Sequence, residues 1–237
     1  ARSVEYDIHA RLVPSAREVR GVAAIRLCNT AKVPINEVRL HLYLNAFAGS
    51  KTLFMKSSRG RLRMSSADPS QPGWIKVRSV REGGMALSRD TRRALKHDLL
   101  DDRTVMRVRL PRPLAPGGHA ELTIAFTSRL PEVFARTGHA GDFFMVAQWY
   151  PKVGVLRGDG TWDCRPFHAH EEFYGPFGVY RVTLEAPAEY RVGATGVRLS
   201  REKRIGILAV HRFLAEDVHD FAMAAWPHFT EQWSRQG

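Results

Sequence analysis

The sequence predicts an all-β fold: an antiparallel β-sandwich-type architecture with long loops and at most one short helix. Three observations carry this. Apolar and polar residues alternate with a period of two in at least ten segments. Turn chemistry built from Gly, Pro, Ser and Asn separates them. No repeat of fixed period and no alternation of strands with helical patterns is visible, which favours sandwich-type packing over the α/β classes. The chain has 237 residues. Large all-β domains of this size commonly form a single unit, so one domain over 1–237 is expected.

The elements follow in order. Residues 3–13 place Val4, Tyr6, Ile8 and Ala10 on one side, and Pro14-Ser15 turns the chain. Residues 18–29 bring Val19, Gly21, Ala23, Ile25 and Leu27 to one face. Residues 36–44 do the same with Val38, Leu40, Leu42 and Leu44, opposite Arg39, His41 and Tyr43. Short turns between these three suit one antiparallel sheet with a wet face. From Ala46 to Pro72 the pattern weakens into a surface excursion, with a short helical turn near Lys51–Met55. A strand over 74–82 ends at the Gly83-Gly84 turn. Residues 90–100 divide evenly between a loop and a short helix capped by Asp90 or Thr91, with Leu95 and Leu99 four apart on one face. Strands are expected at 103–110, 119–129, 178–186, 190–199, 205–215 and 219–226, with Pro111 to Gly118 as turn.

The densest stretch runs from Phe143 to Lys152. Phe143, Phe144, Met145, Val146 and Ala147 form an unbroken apolar run, read as a strand covered on both sides. Gln148 follows with no loop composition before it. A neutral amide there is either hydrogen-bonded in the core or aimed into a cleft. Trp149 and Tyr150 add aromatic area with a polar handle each, and Pro151 forces a turn because it cannot donate to a ladder. Residues 154–178 then form a long aromatic loop, the kind that carries function or an interface.

The formal charge is +12, and residues 51–110 hold 15 Lys and Arg against 6 Asp and Glu. Lys76 and Arg78 alternate with Ile75 and Val77, and Arg107 and Arg109 with Met106 and Val108. That is the pattern of a solvated strand face. No aromatic-interleaved RNA motif or recognition-helix pattern accompanies the charge, so no nucleic-acid partner is expected. No run approaches the roughly 18 apolar residues that span a bilayer. Two cysteines, Cys28 and Cys164, make neither a disulfide framework nor a metal quartet. They pair only if geometry allows, and they select no compartment.

Catalytic signatures are missing. His168-Ala169-His170-Glu171-Glu172 invites a metal reading, but the zinc motif His-Glu-x-x-His would need a second His where Tyr174 stands. With no third ligand nominated, a structural role for these histidines is favoured. No Gly-x-Ser-x-Gly occurs, and Gly158-Asp159-Gly160 reads as a turn because no P-loop Lys-Ser/Thr follows.

Several of these residues carry a resemblance. Gln148-Trp149-Tyr150-Pro151-Lys152, Trp162-Asp163-Cys164, His168, Glu172-Phe173-Tyr174 and Gly178-Val179-Tyr180-Arg181-Val182 look like the N-terminal domain of bacterial aminopeptidase-N-like zinc metallopeptidases. Gly21, Asn29 and Leu40-His41-Leu42-Tyr43-Leu44-Asn45 are similar to the opening of that domain, and Ala194-Thr195-Gly196 and Val218-His219-Asp220-Phe221-Ala222 to its closing strands. The resemblance implies a saddle-like β-domain that is not itself catalytic. Its zinc, general base and Gly-x-Met-Glu-Asn substrate clamp belong to a catalytic domain of the same parent chain, expected after Gly237. No cofactor is therefore expected within 1–237, and alone this chain is expected to be inactive. The resemblance gives Gln148 a role: its amide oxygen accepts from the free N-terminus of a peptide substrate without adding a second buried charge. Trp149 and Tyr150 would wall the cleft beside it or pack the corner. An apolar patch is expected where the catalytic domain would dock, around Trp162, Phe167 and Phe173. The rival reading is a stand-alone scaffolding module that holds an acidic partner through Arg61, Arg63 or Lys76.

Overall fold

The computed structural model describes residues 3–62, 65–90, 103–170, 173–200 and 203–232. The fold is all-β. A nine-stranded sheet runs in the order Val197–Arg198, Leu208–Val218, Gly178–Pro187, Val4–Val13, Glu18–Cys28, His119–Arg129, Trp74–Glu82 and Met85–Ala86, with Lys203–Ile205 also paired to Leu208–Val218. Its strands alternate as their sequences require. Tyr6, Ile8 and Leu12 are buried while Asp7, His9 and Arg11 are exposed, and Ile25, Leu122, Ile124 and Phe126 continue the same inner face.

Two four-stranded sheets complete the core. One joins Gly138–Ala140, Phe143–Val146, Met223–Trp226 and Arg191–Ala194. The other joins Lys152–Val153, Ile35–His41, Val105–Leu114 and Arg89–Asp90. Inward side chains of all three sheets, among them Ile8, Val38, Leu40, Met106, Phe144 and Met223, belong to one apolar cluster.

The structure departs from the sequence-based expectation in several places. Ile35–His41 leaves the large sheet and pairs with Val105–Leu114. The turn before it is closed by Asn29, whose Nδ2 donates to Val33 O at 3.0 Å and Leu114 O at 2.8 Å. Val4–Val13 pairs antiparallel with Glu18–Cys28, but parallel with Gly178–Pro187. Pro111 and Pro113 lie inside a strand, beside a register shift between Ile35 and Glu37. An irregular ladder needs fewer N–H donors, so it admits proline. The expected 190–199 strand divides at Gly196, and its halves enter different sheets. Phe143–Val146 buries Phe144 and Val146 but leaves Phe143 and Met145 only half-buried, so it is not covered on both sides.

Other expectations hold. The helical turn near Lys51–Met55 becomes a helix over Leu53–Ser58, with Thr52 Oγ1 accepting from Met55 N at 3.3 Å. Lys76 and Arg78 are exposed and Ile75 is buried, as a solvated strand face requires. The helix considered over 90–100 falls, from residue 91 on, outside the described residues.

The long loop is more closely packed than expected. Phe167 is buried, with Phe173 stacked on it at 4.8 Å, and both meet Tyr43 edge-on at 5.2 Å. Trp162 is half-buried against Val105 and Cys164. Phe167 thus adds no exposed area, and Trp162 and Phe173 only part of theirs, to the apolar docking patch expected around them. The Tyr43–Phe47 turn and the Leu53–Ser58 helix offer Phe167 and Phe173 a local core, which takes part of their apolar area out of water. Large apolar side chains are instead exposed at Tyr174, Phe177, Val197, Leu199, Ile205 and Ile207.

Candidate functional site

The corner after Phe143–Val146 is fixed from both sides of Gln148. Before it, Ala147 N donates to Thr137 Oγ1 at 3.2 Å, and the Thr137 hydroxyl donates to Ala147 O at 3.0 Å. After it, the Trp149 indole donates to Phe221 O at 3.0 Å, and the Ser128 hydroxyl donates to Trp149 O. Between these anchors Gln148 adopts φ +58°. A side chain in the left-handed region costs on the order of 1 kcal/mol or more, and the flanking hydrogen bonds are what hold it there.

The amide is 3% exposed. Its Nε2 donates to Asp220 Oδ2, while its Oε1 is buried without a hydrogen-bond partner among the described residues. An orphaned buried acceptor costs about 1–3 kcal/mol. Of the two readings left open by the sequence, the amide is half satisfied in the core and half unsatisfied. The open groove on the outer face of the large sheet, lined by His9, Arg11, Arg20, Arg78 and Glu185, does not include Gln148.

Asp220 organises the corner. Its Oδ1 accepts from the Tyr150 hydroxyl at 2.7 Å and from Phe221 N at 2.8 Å. Its Oδ2 accepts from Gln148 and lies 3.5 Å from Lys152 Nζ. The Lys152 side chain is 1% exposed. Burial pushes its pKa down, and the Asp220 charge partly restores it. The lysine lies against Gly175, where a Cβ would come within 2.4 Å of its Cε. A side chain at 175 would force the end of Lys152 to move.

Beneath the carboxylate sits a block of tyrosines. Tyr6 stacks on Tyr180 at 4.5 Å, and Tyr150 meets both edge-on at 5.5 and 5.8 Å. Desolvation raises the pKa of the Tyr150 phenol first, and the nearby Asp220 charge raises it further. It therefore stays a hydrogen-bond donor. Trp149 is fully buried and packs this corner, and Tyr150 does the same while holding Asp220.

His41, whose backbone lies opposite Lys152, is 2% exposed and stacks on Tyr43 at 4.5 Å. Burial, with the Lys152 charge second, lowers its pKa to about 3. The loop carrying His168 and His170 is tied to the helix through Ala169 N, which donates to Ser57 Oγ at 3.0 Å. Among the described residues no three His, Cys, Asp or Glu are grouped to hold a metal ion. Cys28 and Cys164 are both free thiols.

Sequence reasoning nominated Gln148, Trp149 and Tyr150, and the structure brings all three to one corner. It did not single out Asp220 and Lys152, which meet Gln148 at this corner. An acid 72 residues away in sequence leaves no spacing signal, and a single lysine after Pro151 reads as surface charge.

No protein-family model and no curated protein matches the chain. Among solved structures it is similar to the M1 zinc metallopeptidase from Deinococcus radiodurans, at 16% identity and a TM-score of 0.54, over 94% of this chain and 42% of that one. A mutant of the M1 zinc metallopeptidase from the same organism, bound to a Tyr-Ser-Ala substrate, matches at 15% identity with a TM-score of 0.54, over the same shares. A mutant two-domain M1 zinc metallopeptidase bound to L-arginine matches at 15% identity and 0.53, over 95% and 43%. The chain thus spans less than half the length of these proteins, and at these identities the likeness is one of fold. Taken with its three larger sheets and their shared core, the chain has the fold of the N-terminal part of M1 zinc metallopeptidases.

Proposed function

We propose that this chain is the non-catalytic N-terminal domain of a zinc aminopeptidase. In this reading it packs against a catalytic domain that holds the metal, and it supplies Gln148 to the free α-amino group of a peptide substrate. The observation that carries the reading is the orphaned Gln148 Oε1, buried at a backbone-strained corner while its Nε2 is already committed. A protonated amine brings N–H donors and no acceptor. It satisfies that oxygen, while an acylated N-terminus offers fewer donors and more bulk. A site built around an acceptor rejects ligands that leave it unpaired. The fold shared with M1 zinc metallopeptidases supports the domain assignment.

The test is kinetic and uses the full-length protein. Gln148→Ala is expected to raise KM for peptides with a free N-terminus by about ten- to hundredfold, the equivalent of roughly 1–3 kcal/mol for one buried polar contact. Activity on N-acetylated peptides, already low, should hardly change. An unaltered ratio between free and blocked substrates removes the role assigned to Gln148.

A further inference from the structure

We infer that Asp220 is a positioning residue for the Gln148 amide: it decides which end of the amide a ligand meets. This rests on the reading of Gln148 given above. An ionised carboxylate has no proton to give, so only the N–H end of an amide can face it. With Nε2 committed to Asp220 Oδ2, the carbonyl end is the one left without a partner. Turned by 180°, the same side chain would present two N–H groups to an ammonium and repel it. The two orientations have the same shape, so packing alone discriminates little between them. The acceptor beside the amide does.

The carboxylate is itself held in one orientation. The Tyr150 hydroxyl and Phe221 N both donate to Oδ1, which directs Oδ2 at Gln148. Lys152 Nζ, 3.5 Å from Oδ2 and shielded from water, balances the negative charge. The amide orientation, and with it the preference for an N–H-donating ligand, is thereby written into Asp220, 72 residues away in sequence, and into the near neighbours Tyr150 and Lys152 that hold its carboxylate. The ligand class that follows is a primary ammonium, as on an unblocked peptide or amino-acid amide.

The decisive substitution is the isosteric Asp220→Asn in the full-length protein. The two donors at Oδ1 keep the Asn carbonyl in place, so its Nδ2 confronts Gln148 Nε2. The Gln148 amide then turns over and offers N–H groups to the ligand. KM for an alanyl-peptide substrate should rise about ten- to hundredfold, as for Gln148→Ala, with kcat little changed. The double variant Gln148→Glu/Asp220→Asn restores the donor–acceptor order: Asn Nδ2 donates to one carboxylate oxygen, and the other is offered outward. KM should return to within a few-fold of the unaltered protein.

The outcomes separate the two ideas. If Gln148→Ala leaves KM unchanged, the reading of Gln148 falls and the positioning role with it. If Gln148→Ala raises KM and Asp220→Asn does not, the positioning role alone falls. If Asp220→Asn raises KM and the double variant fails to restore it, the effect is general disruption and the inference is overturned. Should Asp220→Asn not fold, side-chain amide exchange in the unaltered protein decides. One Gln148 Nε2 proton must exchange slowly, and fast exchange of both overturns the proposal.

Discussion

The Tyr150 hydroxyl donates to Asp220 Oδ1 at 2.7 Å, across 70 residues of sequence, and so ties the corner after Phe143–Val146 to the entry of the Met223–Trp226 strand. The bond is partly shielded from water, with one partner ionised, and hydrogen bonds of that kind contribute about 1.5–3 kcal/mol. Tyr150→Phe removes the hydroxyl and keeps the ring packing. It is expected to lower unfolding stability by about 1–2 kcal/mol in urea titration, discounted because Asp220 is partly wet. An unchanged midpoint would contradict the assigned bond.

The two charges beside it are not equivalent. Asp220→Ala removes the carboxylate that accepts from the Tyr150 hydroxyl and leaves Lys152, 1% exposed, without its counter-charge. Such a loss costs about 3–5 kcal/mol for a buried pair, less here because Asp220 keeps some solvent. Lys152→Met removes a desolvated ammonium and preserves the stem packing against Gly175. It is expected to cost less than about 1 kcal/mol. Finding Lys152→Met the more damaging of the two, by chemical denaturation, would refute this account.

His41 makes stability depend on pH. Its folded pKa, about 3, lies below the ordinary 6.5 because the charged form is desolvated. The unfolded chain therefore binds the proton first. The contribution of neutral His41 is complete above pH 6.5 and is lost as pH falls from 6.5 towards 3, at up to about 1.4 kcal/mol per pH unit. His139, lowered chiefly by burial as well, adds in the same direction. His41→Phe keeps the stack on Tyr43 and should flatten the stability profile between pH 6.5 and 5. Parallel profiles for the two proteins would disprove the contribution.

The two thiols should differ in reactivity. Cys164 is 1% exposed and burial raises its pKa steeply, while Cys28 is half-buried. Thiolate is the reactive species. Under native conditions iodoacetamide should modify Cys28 and spare Cys164, and both should react in denaturant. Mass spectrometry of the labelled peptides reads this directly. Equal native labelling would place Cys164 elsewhere than under Trp162 and Val105.

Gly196 separates the strands Arg191–Ala194 and Val197–Arg198. It sits at φ +86°, and a Cβ there would come 2.2 Å from Leu214 O. Gly196→Ala is expected to destabilise by about 2 kcal/mol or more, since neither the backbone nor the carbonyl can give way. A thermal midpoint equal to that of the unaltered protein would count against the turn.

Strand content was legible wherever one face meets the core, because burial writes a period of two into the sequence. Val4–Val13, Glu18–Cys28, Trp74–Glu82 and His119–Arg129 begin and end close to where the alternation does. Sheet membership was not legible. Ile35–His41 alternates like its predecessors, yet it pairs with Val105–Leu114, with the Asn29 side chain bonding Leu114 O at the turn before it. Nor did aromatic content reveal exposure: Phe167 and Phe173 look like surface loop residues until Tyr43 and Phe54 are seen against them. At the candidate site the apolar run before Gln148 made that residue conspicuous. Asp220 was not, because its partners come from a segment 70 residues upstream and from its own backbone.

The parallel seam between Val4–Val13 and Gly178–Pro187 has a consequence for biogenesis. Arg11 and Glu185, which pair across it, are 174 residues apart in the chain. The hairpin with Glu18–Cys28 can form as soon as it leaves the ribosome, but its first strand then presents an edge of unpaired backbone N–H and C=O groups until Gly178–Pro187 has been synthesised. Closure of so long a loop is entropically mild yet slow, since non-local contacts are rewarded only at the end. During that interval the nascent protein carries an unpaired edge in the middle of its future sheet, which is when chaperone occupancy should be highest.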